Sequence, residues 1–149
     1  MLVGFSPSIF MTDPLPNCFS ICWTARVSAD SRAGSVEMPG GRVDVGESAV
    51  EAAVREVLEE AGVHVLVTGI AGLFTDPGHV VCAANGEVRQ QFVVVFGARW
   101  QRGVPCADLT ETSEARWVTP AELPALRMEP PVRAWVQQAL AVDEPPYLG

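Results

Sequence analysis

The sequence predicts an α/β sandwich, in which two amphipathic helices cover a mixed β-sheet. Three observations indicate this class: a helical apolar period at residues 48–61, a second helical segment at residues 129–142, and strand-like segments between the two. Each helix must bury its apolar stripe against a sheet face, so helices and sheet form layers. At 149 residues the chain is long enough for one domain with a full hydrophobic core, and we expect residues 1–149 to form a single domain.

The first helix follows a glycine-rich loop, MPGGRVDVG at residues 38–46, and has clear start and stop signals. Ser48 and Glu51 have the spacing of a capping box, in which each side chain bonds the backbone of the other residue. Gly62 can adopt the left-handed conformation that ends a helix. A rotation of roughly 100° per residue places five apolar residues on the core side. These are Val50, Ala53, Val54, Val57 and Ala61.

Strand patterns dominate the rest of the chain, apart from a helical turn after Pro120 and the last helix. We place strands at residues 63–74, 79–83, 88–100 and 115–118. The second and third of these form a hairpin, because Asn85-Gly86 suits a type I′ turn. Residues 1–36 are atypical, and among their many turn residues we predict one strand, at residues 19–27.

Composition restricts the partners and the compartment. Ten basic residues against eighteen acidic ones give a net charge of -8, and such a surface repels a polyphosphate backbone, so we expect no nucleic-acid polymer as a partner. No run of about 18 apolar residues is free of charge or proline, so we expect no membrane partner. Four scattered cysteines lack the pairs of a zinc site and the density of a disulfide framework, which favours a cytoplasmic protein.

Three carboxylates, those of Glu56, Glu59 and Glu60, lie on the helix face opposite the apolar stripe. Like charges at this spacing repel by roughly 0.2 to 0.5 kcal/mol per pair, so clustering the three carboxylates does not stabilise the helix. A hard cation such as Mg²⁺ or Mn²⁺ reverses the sign, because it prefers oxygen ligands and can share substrate phosphate oxygens. The alternative is a solvated acidic face stabilised by Arg55.

The residues around this cluster resemble the Nudix box, GX5EX7REUXEEXGU, in which U is an aliphatic residue. Every defined position is matched, which makes the motif specific. The matching residues are Gly41, Glu47, Arg55, Glu56, Val57, Glu59, Glu60, Gly62 and Val63. The chain is therefore similar to Nudix hydrolases.

This resemblance implies the Nudix α/β/α sandwich, with a mixed sheet between helices, and hydrolysis of a nucleoside diphosphate linked to another group X. It implies that Glu56, Glu59 and Glu60 bind Mg²⁺, or Mn²⁺, with help from the backbone carbonyl of Gly40 or Gly41. Glu59 or Glu60 would also orient the attacking water. Both glycines would let the loop backbone approach the metal and the diphosphate, where a Cβ would obstruct.

The resemblance also implies supporting residues. Arg55 would hold a glutamate of the cluster by a charge-assisted bond, and Glu47 would tie the loop to the start of the helix. Family members often have a catalytic base in a loop after the central hairpin. Glu111 and Glu114 lie in that region, and we favour Glu114 because it adjoins the next predicted strand.

The expected partner is a small nucleotide substrate. Arg89 and Gln91, at the start of a strand, are candidates to contact its sugar or phosphate, and otherwise face solvent. Pro77 lies fifteen residues after Gly62, a spacing that resembles ADP-ribose pyrophosphatases, so ADP-ribose or a nucleotide sugar is our first expectation. The alternatives are a (d)NTP pyrophosphohydrolase of the 8-oxo-dGTP type and a non-catalytic module that senses a nucleotide. Family members are often dimers, so a homodimer remains open.

Overall fold

The computed structural model of the chain describes residues 2–12, 21–26, 34–82, 85–141 and 144–149, with the backbone alone described for residues 2–12 and 21–26. Within these ranges the strands are β1 (Leu2–Thr12), β2 (Ile21–Arg26), β3 (Val36–Glu37), β4 (His64–Phe74), β5 (Val80–Cys82), β6 (Val88–Arg102), β7 (Thr112–Val118) and β8 (Tyr147–Leu148). The α-helices are α1 (Ala49–Ala61) and α2 (Pro130–Leu140), and a 3-10 turn covers Leu123–Ala125.

The described strands form two sheets. The first is mixed and has the order β1-β6-β4-β8, with β5 paired to the end of β6. In it β6 is parallel to β1 and antiparallel to β4, and β8 is parallel to β4. The second sheet is antiparallel, in the order β3-β2-β7. Helix α1 contacts strands of both sheets.

Strand β6 carries a hydrophobic core on each of its faces, because alternate residues of a strand point in opposite directions. Val94, Phe96 and Ala98 pack with α1, whereas Val93 and Val95 pack with α2. All five are buried. The two helices therefore cover opposite faces of a mixed sheet, which confirms the predicted α/β sandwich.

Helix α1 begins and ends as its sequence predicts. The Ser48 N–H donates to Glu51 Oε2 at 2.8 Å, and the Glu51 N–H donates to Ser48 Oγ at 3.3 Å, so both bonds of the capping box are present. Gly62 has φ 68° and closes the helix. The predicted apolar face was wrong at one position: Val50 is 42% exposed, whereas Ala52 is fully buried. Small alanines let the first turn of the helix approach the sheet, and the buried face is rotated toward them.

The N-terminal prediction was incomplete. Strand β2 falls within the predicted segment at residues 19–27, but β1 is a second strand that we did not predict. Its partner β6 is distant in sequence, since Leu2 pairs with Arg89 and Thr12 with Arg99. Proline in a central strand would remove a ladder hydrogen bond, and Pro7 is tolerated because β1 lies at the edge of its sheet. The predicted strand ends, at residues 19, 20 and 27, lie outside the described residues.

The predicted hairpin is present as β5 and β6, but its turn is not type I′. That turn needs positive φ at both central residues, and only Gly86 has it, at φ 82°. The Asn85 side chain instead accepts the Glu87 N–H at 3.0 Å, which stabilises a local turn. The connection is therefore longer than two residues, although residues 83 and 84 lie outside the described ranges.

The remaining elements agree with the sequence in type, with shifted ends. Strand β7 begins at Thr112, three residues earlier than predicted, and β6 continues to Arg102. Helix α2 starts with two prolines in its first turn, as predicted. The short strand β8, which joins β4, was not predicted.

Candidate active site

An open cavity of about 330 Å³ lies between the acidic face of α1 and the loop that joins β6 to β7. Among the described residues, six line it, all from these two elements, and four of them are glutamates. They are Glu56, Glu59, Glu60, Asp108, Thr110 and Glu111. Three of the four glutamates of the Nudix box, Glu56, Glu59 and Glu60, therefore share one cavity with Glu111, a glutamate from a distant part of the chain.

Glu60 connects α1 to the glycine-rich loop. Only 4% of its surface is exposed, although it is an acidic residue. Its Oε2 accepts the Gly40 N–H at 3.1 Å. Burying a carboxylate without such a partner would be costly, so this bond fixes the loop against the helix.

Glu56 lies directly against the backbone of Gly41. A Cβ added at Gly41 would be 2.0 Å from Glu56 Oε1 and 2.7 Å from Oε2. Real side chains do not approach so closely, so glycine is required if Glu56 keeps this position. The loop thus lies against two glutamates that line the cavity, since Gly41 is beside Glu56 and Gly40 is bonded to Glu60.

Arg55 connects two of the cavity glutamates to the glycine-rich loop. Its Nε and Nη2 donate to the two oxygens of Glu47 at 3.1 and 2.7 Å, a bidentate pair. Its Nη1 donates to Glu56 Oε1 and Glu59 Oε2, both at 3.0 Å. Its Nη2 also donates to the Arg42 carbonyl at 3.1 Å, so one guanidinium holds the loop and the helix together.

These contacts shift the pKa values of the participating groups. The hydrogen bond from Arg55 lowers the pKa of Glu47, and the Asp44 N–H lowers it further. Glu47 in turn raises the pKa of Arg55, so the guanidinium keeps its charge. Burial raises the pKa of Glu56, and Arg55 opposes this only in part, while the charges of Glu59 and Glu111 add to it. The cavity therefore holds more negative charge than Arg55 neutralises.

The cavity offers oxygen donors, which are the ligands that Mg²⁺ and Mn²⁺ prefer. In the described part of the chain, however, no three acidic, histidine or cysteine side chains are gathered tightly enough to hold an ion between them. The reason is visible in the hydrogen bonds: Arg55 Nη1 lies between Glu56 and Glu59, and Glu60 is bonded to Gly40. The donor set fits a hard cation in kind, and the carboxylates must move closer together to share one.

The loop between β6 and β7 supplies residues that the sequence did not mark. Asp108 accepts N–H bonds from Thr110, Glu111 and Thr112 at 2.8 to 3.0 Å, and these bonds lower its pKa. The sequence pattern of an Asp followed by Thr at the second and fourth positions, DLTET, is a turn signal that could have indicated this arrangement. Its position beside α1 could not be read from the sequence.

Three predicted residues lie away from this cavity. Glu114 projects from β7, with 63% of its side chain exposed, and forms an ion pair with Arg116 at 3.2 Å. Arg89, on β6, forms an ion pair with Glu87. The Gln91 N–H donates to the backbone carbonyl of His79 at 2.8 Å, within the β5–β6 pairing. None of the three lines the cavity, and their predicted roles remain predictions.

No helix in the described ranges is long and apolar enough to cross a membrane.

A comparison with curated proteins identifies a relative with a similar sequence. A Bacillus subtilis (strain 168) protein, whose name provisionally assigns it 8-oxo-dGTP diphosphatase activity, is 40% identical over 88 residues. The aligned part is 59% of this chain and 52% of the relative. The chain thus spans about half the length of this curated relative.

Two solved structures share the fold. A NUDIX hydrolase from Nitrosomonas europaea matches with a TM-score of 0.72 and 22% identity, over 94% of this chain and 90% of the other. The NUDIX domain of Shewanella oneidensis NrtR, complexed with ADP ribose, matches with a TM-score of 0.76 and 13% identity, over 97% and 90% of the two chains. The family model of the NUDIX domain matches residues 9–139, which is most of the sequence. With the matched box and the matched fold, this places the chain in the Nudix family.

Proposed function

We propose that the protein hydrolyses the pyrophosphate bond of a nucleoside diphosphate linked to another group, with Mg²⁺ as its cofactor and Mn²⁺ as a substitute. The observation that carries the proposal is that Glu56, Glu59 and Glu60 of the Nudix box line one cavity, with the Gly40-Gly41 loop packed against two of them. A cavity lined by carboxylates repels a diphosphate unless cations lie between the two sets of anions. The proposed activity therefore requires a divalent metal.

Glu56, Glu59 and Glu60 would hold the cation, with a backbone carbonyl of Gly40 or Gly41. When bound, the cation supplies positive charge that neutralises the diphosphate as the bond breaks. Arg55 keeps Glu56 and Glu59 on the cavity side of α1 through its two 3.0 Å bonds. Glu60, buried and bonded to Gly40, holds the loop that faces the diphosphate.

We assign to Glu111 the removal of the proton from the attacking water. It is the glutamate of the cavity that comes from outside α1, and its charge acts on Glu56. A general base must reach the reacting water, and Glu111 is placed across the cavity from the three Nudix-box glutamates. Glu114, which the sequence favoured, faces Arg116 instead.

Two substrate classes are supported by different observations. ADP-ribose or a nucleotide sugar is supported by the position of Pro77 and by the fold shared with a domain that was solved with ADP ribose. An 8-oxo-dGTP type of nucleotide is supported by the relative with 40% identity, whose name carries that activity. The first class remains our leading proposal, and one substrate panel separates them.

The test is turnover of a panel by the purified protein. The panel contains ADP-ribose, UDP-sugars, dinucleoside polyphosphates, dGTP and 8-oxo-dGTP, each with Mg²⁺, with Mn²⁺ and with EDTA. We expect release of a nucleoside monophosphate from at least one compound, and none with EDTA. Absence of turnover across the panel with both metals would contradict the proposal and favour a nucleotide-sensing module.

The Glu60→Gln variant, assayed with the same panel, tests whether the negative charge of Glu60 is needed for turnover. A glutamine oxygen can still accept the Gly40 N–H, so the loop keeps its place while the negative charge is lost. We expect kcat to fall by about 10² to 10⁴-fold with little change in Tm. Glu144→Gln, at an exposed position between α2 and β8, serves as the control and should retain full activity.

A further inference from the structure

The loop between β6 and β7 completes the C-terminal end of α1. The last carbonyls of a helix have no partner within the helix and need one elsewhere. Two of them are bonded by this loop: the Cys106 N–H donates to the Ala61 carbonyl at 2.9 Å, and Thr112 Oγ1 lies 3.0 Å from the Glu60 carbonyl. This end of the loop is therefore fixed to the backbone of Glu60, whose side chain lines the cavity, and of Ala61.

Asp108 organises the backbone around Glu111. Its Oδ1 accepts the N–H of Thr110 at 3.0 Å, of Glu111 at 3.0 Å and of Thr112 at 2.8 Å. Its Oδ2 is also 3.2 Å from the Glu111 nitrogen. One carboxylate thus holds the residues before and after Glu111, as well as Glu111 itself, in a single turn.

Thr112 links this turn to the helix. It is fully buried, and its Oγ1 is 2.9 Å from Asp108 Oδ1 as well as 3.0 Å from the Glu60 carbonyl. The same Oγ1 accepts the Asp108 N–H at 3.3 Å. The two walls of the cavity, Glu60 on α1 and Glu111 on the loop, are therefore joined through one hydroxyl group.

We propose that Thr112 and Asp108 are positioning residues for the reaction, which hold Glu111 across from the carboxylates of α1. The proposal rests on the proposed function, in which Glu111 accepts the proton of the attacking water. A displacement of about 1 Å at a catalytic group can cost about 10²-fold in rate, so a loosened turn lowers kcat. Substrate binding does not depend on Glu111 in this scheme, and KM stays nearly constant.

A double-mutant cycle tests whether Thr112 acts through Glu111. Thr112→Val removes the hydroxyl at similar volume, and Thr112→Ser keeps it. We expect Thr112→Val to lower kcat by about 10-fold or more with KM within about two-fold, and Thr112→Ser to retain most of the rate. In a Glu111→Gln background Thr112→Val should change kcat by less than about two-fold, because the positioned group is already disabled.

The outcomes separate the two proposals. Equal losses from Thr112→Val in the wild-type and Glu111→Gln backgrounds would overturn the positioning role and leave the hydrolase intact. Full activity of Glu111→Gln would overturn both the assignment of the base and the positioning role, while turnover itself still supports the hydrolase. No turnover by the unmodified protein would overturn the proposed function.

Asp108 gives a second test that needs no turnover and avoids a buried substitution, because this residue is exposed. Asp108→Ala removes all of its acceptors, whereas Asp108→Asn keeps one oxygen for the N–H groups. We expect Asp108→Ala to speed amide hydrogen exchange of residues 110–112 by about 10-fold or more in the metal-free protein, with exchange within α1 unchanged and Asp108→Asn intermediate. Unchanged exchange at residues 110–112 would overturn the proposal.

Discussion

Substituting Gly41 by alanine tests the packing between the glycine-rich loop and Glu56 with a single methyl group. The added Cβ would be 2.0 Å from Glu56 Oε1 and 2.3 Å from its carboxyl carbon. Ordinary contact begins near 3.4 Å, so the carboxylate must retreat by about 1.4 Å. This movement breaks the 3.0 Å bond between Arg55 Nη1 and Glu56 Oε1.

The size of the effect follows from that bond. A hydrogen bond to a charged group contributes about 1.5 to 3 kcal/mol, and Arg55 is partly exposed, so we expect the free energy of unfolding to fall by about 1 to 2 kcal/mol. For a domain of this length that lowers Tm by about 2 to 8 °C. Turnover should fall further, by about 10² or more, because the methyl group would displace a carboxylate that we propose as a ligand of the cation.

The measurements are kcat and KM with the best substrate of the panel, and thermal unfolding followed by circular dichroism. Gly69→Ala is the matched control, since a Cβ there meets no atom within 4 Å and Gly69 lies on β4, away from the acidic cavity. We expect this variant to keep its activity. Wild-type kcat and Tm in Gly41→Ala would refute the reasoning, as would an equal loss in Gly69→Ala.

Three further predictions concern the charged residues. Arg55→Lys should lower kcat by about 10 to 100-fold, because an ammonium cannot form the bidentate pair with Glu47 and also reach Glu56. The control is Arg99→Lys, at an exposed position. Equal rates in the two variants would contradict this prediction. Glu111→Gln should lower kcat by about 10² to 10⁴-fold. Glu114→Gln should change kcat by less than about two-fold. A larger loss in Glu114→Gln than in Glu111→Gln would instead support Glu114 as the base. Arg55 lowers the pKa of Glu47 in the folded protein below its ordinary value of 4.5. The ionised Glu47 therefore stabilises the fold fully at pH values above 4.5, and this contribution is lost as the pH falls through the pKa of Glu47 in the folded protein. Glu47→Gln should therefore lower Tm at pH 7, with a gap to wild type that closes as the pH falls below about 4, and a constant gap would contradict the assignment.

Local features of the sequence were predictable because their partners lie within one helical turn. The capping box, Gly62 and the spacing of the three box glutamates depend only on helix geometry, and each is found where the sequence placed it. The exact buried face was less predictable. Val50 is more apolar than Ala52, yet Ala52 is buried and Val50 is exposed.

Features that depend on distant partners were not predictable. Strand β1 is a strand because β6, more than eighty residues later, pairs with it along its full length. Glu111 and Glu114 stand three residues apart in one polar stretch, and we favoured Glu114 from the sequence because it adjoins a predicted strand. Their difference arises when Thr112 bonds the Glu60 carbonyl, a contact between residues 52 positions apart that turns Glu111 toward α1.

The double role of β6 bears on how the molecule unfolds. Both cores are built on alternate side chains of one strand, so separation of either helix exposes one face of β6 and removes part of the packing that holds this strand in place. Loss of either layer is therefore expected to spread across the strand to the other, which makes denaturation a cooperative, all-or-none event. The acidic cavity beside α1 is thus expected to unfold at the same Tm as α2 on the opposite face of the sheet.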